Sequence, residues 1–482
     1  MNALAITRGP VLHEVLKRAA DPDEWERFER QLRSNGYCRQ PVRLKGRVDS
    51  INTSTGEVLR SYSTEREPDG TLLKCCGNRR EAVCPSCART YRGDAFQLVA
   101  AGMRGGKGVS ETVATHPLVF LTLTAPSFGL VHSRRVVDGK ARRCRPRRNG
   151  GACAHGVSVA CNEIHAEDDP RLGEPICPRC FDYEHNVLWN ALAPELWRYT
   201  SNQLPRELAR LLGVRQRDLD VRVSYVKVAE FQRRGALHFH CVLRLDGIGE
   251  DGELDPPTEG CGAQLLIDAV TAAVRHVCVL SPAPEETTDR LPGFAPALAR
   301  EIRWGTQVEV RELDTRGAEA ASYAGYIAKY ATKSTEAVGG LMYRLDASDV
   351  QRLKTRPHVR RLVETAWRLG GHQHLHELRL RRWAHQLGFR GHCFTKSRRY
   401  STTFTRLRQA RHEHVLHRSG QRRDPSREIR RWAYTGSGYK TLGDAWLAES
   451  GRKRAFEQRR IAREELRTTP VRHKDGDRGR LR

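Results

Sequence analysis

The stretch RRGALHFHCVLRLDG, residues 233–247, decides the fold because its residue types alternate along an extended chain. Successive side chains of a strand point to opposite faces of a sheet. One face carries His238 and His240, and two imidazoles on one strand face can share a metal ion. The other face is wholly apolar and consists of Leu237, Phe239, Cys241, Leu243 and Leu245. The pattern predicts a half-buried strand with Phe239 in the core and both imidazoles outside it.

The preceding segment DVRVSYVKVAEF, residues 220–231, predicts a second strand that forms a hairpin with the first. Directly opposed residues of a hairpin share a face of the sheet. A two- or four-residue turn would place Glu230 beside Leu237, whereas an odd loop would place it beside His238. The sequence leaves both registers open, and Glu230 is a candidate third metal ligand.

The charge of the chain predicts a nucleic-acid partner. Its 482 residues suffice for two or three domains, and 83 Lys and Arg against 57 Asp and Glu give a formal net charge of +26. A basic surplus of this size indicates a polyanionic partner. We find no run of about 18 apolar residues and no signal-peptide pattern, so we expect a cytoplasmic protein with no membrane partner.

Two clusters of cysteines predict two structural zinc ions. An intracellular chain keeps its 14 cysteines reduced, so clusters favour metal over disulfides. Each cluster ends in a Cys-Pro-x-Cys knuckle, whose tight turn lets two thiolates bind one tetrahedral Zn²⁺. Adjacent cysteines rarely bind one ion together, so Cys38 is expected to complete the first site. The predicted ligands are Cys38, Cys75, Cys84 and Cys87 in the first site, and Cys153, Cys161, Cys177 and Cys180 in the second, where His155 and His165 are alternatives.

The order of these motifs predicts an α+β protein with three regions. Further strands are expected in LVFLTLTAPSFG (118–129) and TQVEVREL (306–313), and helices near PDEWERFERQLRSNG and VLWNALAPELWRYTSNQLPRELARLL. Residues 1–115 form an N-terminal zinc-binding region. Residues 116–345 form a central domain with the second zinc segment inserted at about 130–185. Residues 346–482 form a basic, mostly helical C-terminal region with a disordered tail.

The segment EAASYAGYIAKYATK, residues 319–333, predicts a helix that carries two tyrosines on nearly the same face. Tyr326 and Tyr330 lie four residues apart, and Lys329 and Lys333 each follow a tyrosine by three. Aromatic residues at this spacing commonly pack into a core, but two phenols beside two ammonium groups make a poor buried stripe. An ammonium near a phenol favours the phenolate and can hold a phosphate.

Together, His238-Phe239-His240, the FLTLT strand and the Tyr-x-x-Lys helix resemble the HUH endonucleases, the rolling-circle replication initiators of plasmids and single-stranded phages. The doubled YIAKYATK is similar to their two-tyrosine subset. CPSC, CPRC, RGALHFH and GHCFTKSRRYSTTF resemble the replication initiators of actinobacterial integrative plasmids, over about residues 38–450. The resemblance implies a HUH nuclease domain at 116–345, with an antiparallel sheet and flanking helices.

The resemblance also implies a reaction. His238 and His240 would hold Mg²⁺ or Mn²⁺, with Glu230 or another acidic residue. Tyr326, ranked above Tyr330, would attack a phosphate of single- or double-stranded origin DNA and leave a 5′-phosphotyrosine and a 3′-OH primer. Lys329 and Lys333 would orient the DNA or the nucleophile. A host helicase and polymerase are expected partners, because AGMRGGKGVS, residues 101–110, does not match a phosphate-binding P-loop.

Several alternatives stay open. If a single tyrosine acts with a glutamate, Glu336 is the candidate base. Tyr400, in a basic segment, is a candidate phosphate contact. A relaxase or a transposase would share the same chemistry. A non-catalytic, zinc-stabilised DNA-binding regulator would share the charge and the cysteines, but has no need of the histidine pair and the tyrosine helix.

Overall fold

The computed structural model describes residues 8–144, 151–249, 254–284, 299–314, 318–333, 338, 341–418 and 426–468. The chain divides into two compact units, Met1–Thr90 with Leu416–Arg482, and Tyr91–Val415. Glu336 and the tail predicted to be disordered, residues 472–482, lie outside the described residues. Within the described ranges, no helix has both the length and the apolar character needed to span a membrane.

Helices and antiparallel strands alternate along the chain, and several short turns of 3-10 helix connect them. The α-helices are α1 (Arg8–Ala19), α2 (Pro22–Ser34), α3 (Pro85–Arg104), α4 (Tyr183–Leu212), α5 (Ala263–His276), α6 (Ala318–Tyr330), α7 (Ala347–Gln351), α8 (Pro357–Leu369), α9 (Leu380–Trp383), α10 (Phe404–Arg418) and α11 (Leu442–Thr468). The strands are β1 (Val42–Asn52), β2 (Val58–Ser63), β3 (Leu72–Lys74), β4 (Leu118–Thr124), β5 (Arg135–Val137), β6 (Lys140–Arg142), β7 (Val221–Phe231), β8 (Leu237–Ile248), β9 (Leu254–Asp255), β10 (Val279–Leu280), β11 (Glu301–Ile302), β12 (Val308–Glu312), β13 (Phe394–Lys396) and β14 (Ser426–Ser437).

A six-stranded sheet forms the centre of the unit Tyr91–Val415. Its strand order is β12-β4-β8-β7-β13, with β9 paired to the end of β8, and every pairing is antiparallel. The four strands predicted from alternation are all present, as β4, β7, β8 and β12. The mixed helix-and-strand architecture with an antiparallel sheet is therefore confirmed.

Both faces of this sheet are covered by helices. Phe239 and its apolar neighbours on β8 belong to a core that includes residues of α4, α5 and α8. Val242, on the opposite face, belongs to a second core that includes residues of α3 and α6. The prediction that one face of β8 is exposed was wrong. Both faces of β8 are buried along most of its length, and His240 itself is only 4% exposed.

Helix α4, the main cover of the first face, has both of its ends capped. The side chain of Asp182 accepts a hydrogen bond from the backbone N–H of His185 at 3.0 Å, which satisfies one of the free donors of the first turn. Gly213 follows the last turn with a left-handed φ of 67°, a conformation that glycine adopts without steric cost. The two caps stabilise the ends of α4, the helix that packs on the sheet, and this sheet contains the two histidines.

The unit Met1–Thr90 with Leu416–Arg482 contains a four-stranded sheet in the order β14-β1-β2, with β3 also paired to β1. The pairing of β1 with β14 joins the two ends of the chain in one sheet. This division differs from the three predicted regions, because the C-terminal region is not a separate helical body. Its strand β14, SREIRRWAYTGS, was missed because arginines interrupt the apolar alternation.

A buried network of ion pairs and hydrogen bonds stabilises the C-terminal end of β8. Arg244 and Asp246 are both 0% exposed and form an ion pair. His116 Nδ1 lies 2.8 Å from Asp246, and Ser224 donates to the same carboxylate at 2.5 Å. Burial opposes the charge of Asp246, but these hydrogen bonds outweigh it and lower the pKa of the carboxyl.

We expect Asp246→Ala to lower the free energy of unfolding by about 3–5 kcal/mol, because it leaves a buried guanidinium without its counter-charge. Urea denaturation of the purified protein measures this loss. Glu301→Ala is the matched control. It breaks an ion pair with Arg303 in which both side chains are largely exposed, and such pairs add little stability, so the free energy of unfolding should stay close to that of the wild type. Equal losses in the two variants would contradict the assignment.

Candidate metal and tyrosine site

The register of the hairpin β7–β8 places Glu230 beside the histidines. Phe231 pairs with Leu237 across a five-residue loop, residues 232–236, so Glu230 lies directly opposite His238. This is the odd-loop alternative. Gly235 makes the loop possible: its φ is +73°, and a Cβ there would lie 2.3 Å from a methyl group of Leu362.

Glu230, His238 and His240 form a compact group of three metal-ligand side chains. Glu230 Oε2 lies 2.9 Å from His238 Nε2 and 3.5 Å from His240 Nε2. One donor atom from each residue lies within 4.8 Å of the other two. Two imidazoles and one carboxylate on adjacent strands leave open positions for further ligands of a divalent cation.

The surroundings keep Glu230 ionised. Its side chain is only 14% exposed, and burial by itself would raise the pKa of the carboxyl. Hydrogen bonds from His238 and His240 outweigh that effect, and the pKa falls to about 2. The group therefore offers a negative charge to a cation across the neutral pH range.

His240 is held from both sides of its ring. Thr122 pairs with it across β4 and β8, and the threonine Oγ1 lies 3.2 Å from His240 Nδ1. Burial lowers the pKa of His240, which favours the neutral imidazole that metals require. Because Nδ1 faces the threonine, Nε2 is the ring nitrogen that faces Glu230 and Tyr326, where it can bind a metal. Sequence patterns gave no signal for Thr122, because its role depends on strand pairing.

Helix α6 brings Tyr326 and Tyr330 to the same site. The Tyr326 hydroxyl lies 3.2 Å from His240 Nε2, and the ring of Tyr330 lies 5.5 Å from that of His240. The two phenol rings are 4.6 Å apart, so the predicted shared face is present. Burial, followed by the hydrogen bond with Tyr330, raises the pKa of Tyr326. Tyr326 is therefore a neutral phenol at rest.

The two predicted lysines surround Tyr330. Lys333 Nζ lies 4.5 Å from the ring centroid of Tyr330 and 3.5 Å from Glu230 Oε1, and Lys329 Nζ lies 5.8 Å from the same ring. Helix α6 ends at Tyr330, so Lys333 lies just beyond the helix that was predicted to include it. The lysines therefore place two positive charges beside Tyr330.

Tyr400 does not belong to this site or to an exposed surface. Its side chain is 0% exposed, and its hydroxyl donates a hydrogen bond to the carbonyl of Val99 at 3.2 Å. The hypothesis that Tyr400 contacts phosphate was wrong, because its side chain packs into the core between α3 and the sheet. The basic residues next to it in the sequence gave no indication of this burial.

The first cysteine cluster forms a group of four thiols in the unit Met1–Thr90 with Leu416–Arg482. It contains Cys38, as predicted, but Cys76 instead of Cys75. Cys38 lies 3.7 Å from Cys84 and from Cys87, and Cys76 lies 3.7 Å from Cys87. Cys75 is exposed at the edge of the group, since adjacent residues of an extended segment point to opposite sides.

The second cluster is split into two groups, where one site had been predicted. Cys153, Cys177 and Cys180 lie together with His155. Cys161 belongs elsewhere, to a group with Cys144, His132 and His165. Three of the four ligands predicted for one zinc site therefore lie in one group, and the fourth, Cys161, lies in the other. The two alternative ligands are both present, His155 in the first of these groups and His165 in the second. The prediction of two zinc-type groups was wrong for the described residues, which contain three.

Comparison with known proteins identifies the class. A family described as RepSA, replication initiator protein, pSAM2, matches residues 24–453. The chain therefore belongs to this family of plasmid replication initiators.

A particular relative is a replication initiator protein of Streptomyces ambofaciens, to which the chain is 40% identical over 472 residues. The match covers 95% of this chain and 96% of the relative. No solved structure matches the chain.

Proposed function

We propose that this replication initiator is a HUH-type, metal-dependent nuclease and strand transferase that nicks one strand of plasmid origin DNA to start rolling-circle replication. The observation that carries the proposal is the 3.2 Å approach of the Tyr326 hydroxyl to His240 Nε2, beside Glu230 and His238. A tyrosine next to a three-ligand metal group has the parts needed for phosphoryl transfer to a protein hydroxyl.

In the proposed reaction the Tyr326 oxygen attacks the phosphorus of the scissile phosphodiester. A new bond joins that oxygen to phosphorus, the bond from phosphorus to the 3′ oxygen breaks, and the phenolic proton is lost while the 3′ oxygen gains one. The products are a 5′-phosphotyrosine and a free 3′-OH. The energy of the phosphodiester is conserved in the phosphotyrosine. A second cleavage by Tyr330 would release a new 3′-OH, whose attack on the Tyr326 phosphotyrosine would free the Tyr326 hydroxyl and close the displaced strand into a circle.

The donor set fits a divalent cation. Glu230 supplies a hard oxygen ligand, and both histidines supply neutral nitrogen, a combination found in sites that leave several positions open. Bound there, Mg²⁺ or Mn²⁺ would polarise the phosphate and stabilise the charge that develops on it. Lys333 and Lys329 would hold the remaining phosphate oxygens on the tyrosine side of the site.

The three Cys and Cys/His groups are proposed to bind structural Zn²⁺. Closed sets of four sulfur and nitrogen ligands are typical of such sites. They would fix loop-rich segments that bury little apolar surface of their own.

Origin DNA is the proposed partner, and the net charge of +26 supports it. A cleft of about 980 Å³ in the unit Met1–Thr90 with Leu416–Arg482 combines basic and aromatic side chains, a pairing suited to phosphates and bases. The basic and aromatic residues are Arg27, Arg30, Arg66, Lys74, Arg430, Tyr62 and Trp432, and they share the cleft with three acidic residues, Glu65, Glu67 and Glu428. A host helicase and polymerase would then unwind and extend from the 3′-OH.

A covalent-adduct assay tests this function. Purified protein is incubated with Mn²⁺ and single-stranded DNA tiled from the region around its own gene, and a denaturing gel is examined for a shifted, nuclease-sensitive band. We expect an adduct with one tile that requires the metal. If no tile forms an adduct while the same DNA is bound tightly, the chain is a DNA-binding regulator. Relaxase or transposase activity would place the cleaved site at a transfer origin or an element end.

Thr122→Val tests the support of the metal ligands. The change keeps the shape of the side chain but removes the oxygen beside His240 Nδ1. Removal of such a partner typically costs 10–100-fold in metal affinity or activity, so we expect a nicking rate lowered by roughly that factor, partly restored by more Mn²⁺. Thr124→Val is the matched control, because Thr124 donates instead to the carbonyl of Gln307. An unchanged rate in Thr122→Val would show that His240 is oriented by other contacts.

A further inference from the structure

We propose that the segment inserted between β4 and α4 binds two Zn²⁺ ions in a cross-brace. In this arrangement the first and third ligand pairs along the chain bind one ion, and the second and fourth pairs bind the other. The first site consists of His132, Cys144, Cys161 and His165, and the second of Cys153, His155, Cys177 and Cys180. The proposal is independent of DNA nicking, because it concerns the metal content and topology of the insert.

The first site has the arrangement of a tetrahedral Cys₂His₂ centre. His165 Nε2 lies 3.3 Å from His132 Nδ1 and 3.4 Å from Cys161 Sγ. Cys144 is fully buried, and its sulfur accepts a hydrogen bond from the backbone N–H of Ser133 at 3.0 Å. All four donor atoms lie within 4.8 Å of one another. Four sulfur and nitrogen donors converging from separate loops match the preference of zinc.

A carboxylate behind His165 is a second observation that points to a metal. Asp169 Oδ2 lies 2.7 Å from His165 Nδ1, the ring nitrogen that faces away from the group. Asp169 is itself held by Arg171, which donates to it at 2.9 Å. Zinc-binding histidines commonly donate their other ring N–H to a carboxylate in this way, which fixes the tautomer and directs Nε2 at the ion.

The second site has three thiols and one imidazole. His155 Nδ1 lies 3.2 Å from Cys180, 3.8 Å from Cys177 and 3.9 Å from Cys153. Cys177 and Cys180 form the Cys-Pro-x-Cys knuckle, in which the backbone N–H of Cys180 donates to the carbonyl of Cys177 at 3.1 Å. The set is Cys₃His, which is closed and therefore structural in type.

The chain order of the ligand pairs alternates between the sites. His132 and Cys144 belong to the first site, Cys153 and His155 to the second, Cys161 and His165 to the first, and Cys177 and Cys180 to the second. Each ion thus ties together segments on both sides of a pair that binds the other ion. Because the loops are interleaved, we infer that loss of either ion loosens the other site.

The insert has few other means of holding its shape. Its described strands are β5 and β6, of three residues each, and both are exposed. It nevertheless packs closely on the loop of the β7–β8 hairpin: Arg233 donates to the carbonyl of Glu167 at 2.8 Å. Gly173, with a φ of +84°, lies so near that a Cβ would be 2.4 Å from the backbone of Arg233. Metal ions would supply the rigidity that this contact needs.

Metal analysis of the unmodified full-length protein is the direct test. Zinc per chain is measured by inductively coupled plasma and native mass spectrometry, and the ligands by X-ray absorption spectroscopy. Together with the Cys38 group we expect three Zn²⁺ per chain and an average of three sulfur and one nitrogen ligands per ion. Two ions with about four sulfur ligands each would overturn the proposal, because the insert would then hold one Cys₄ site. A count of three with sulfur alone would also overturn it.

Asp169→Ala tests the first site without removing a ligand. We expect the ion of the first site to be bound roughly 10–100-fold more weakly, as measured by its transfer to a chromophoric chelator. Its loss should also speed release of the ion of the interleaved second site, whereas the ion of the Cys38 group should be unaffected. Asp168→Ala, an exposed neighbour, is the matched control and should leave all three affinities unchanged. Unchanged zinc affinity in Asp169→Ala would contradict the first site, even if the variant were less stable.

Discussion

His240→Ala is expected to lower the rate of DNA nicking roughly a thousandfold. The metal contributes several kcal/mol of charge stabilisation in reactions of this kind, and each 1.36 kcal/mol is worth a factor of ten. His240 is the ligand that contacts the other parts of the site, since its Nε2 lies 3.2 Å from the Tyr326 hydroxyl and its Nδ1 3.2 Å from Thr122. Initial rates with Mn²⁺ and an oligonucleotide that the wild type cleaves measure the effect.

The same variant should bind Mn²⁺ more weakly, as seen by electron paramagnetic resonance, and should still bind the oligonucleotide. His376→Ala is the matched control, because this histidine is 83% exposed. A His240→Ala protein that nicks DNA at more than about a tenth of the wild-type rate would show that His240 contributes less than about 1.4 kcal/mol to transition-state stabilisation, which would contradict its role as a metal ligand.

Tyr326→Phe is expected to reduce the first covalent adduct to background. Phenylalanine keeps the ring that contacts Phe120 and Tyr330, but lacks the oxygen that would form the bond to phosphorus. Tyr330→Phe should retain the first adduct, because the Tyr330 ring lies 5.5 Å from His240 and no described hydrogen bond joins its hydroxyl to that histidine. It should instead lose the second strand transfer.

Tyr323→Phe is the matched control on α6, since Tyr323 packs on Phe120 at 4.9 Å between ring centroids. It should react as the wild type does. If Tyr326→Phe forms the adduct and Tyr330→Phe does not, the order of the two nucleophiles is reversed. If only the double variant loses the adduct, either tyrosine can act first.

Sequence patterns predicted the strand that carries the site but not its surroundings. Alternation in residues 237–245 was sufficient for β8, because a strand has a period of two whatever packs on it. The position of Glu230 depended on whether the hairpin loop has an odd or even number of residues. A sequence pattern does not locate the ends of a strand to a single residue, so it could not decide between the two. The burial of His240 depended on α6, which follows it by some eighty residues.

The zinc-type groups show a different limit. Knuckles such as that of Cys177 and Cys180 are local and could be found from spacing. His132 precedes Cys144 by twelve residues without a recognisable motif, and interleaved pairs look in sequence like one continuous cluster. Similarly, adjacent Cys75 and Cys76 are equivalent until the path of the backbone shows which thiol faces the group.

Identification of the residue that carries the DNA tests the account most directly. The Mn²⁺-dependent adduct is digested with nuclease and trypsin, and the modified peptide is sequenced by tandem mass spectrometry. Trypsin cleaves after Arg316, Lys329 and Lys333, so Tyr326 lies in GAEAASYAGYIAK and Tyr330 in YATK. The account predicts a nucleotide phosphate on Tyr326, with fragment ions that exclude Tyr323. A modification on a residue outside α6 would contradict it.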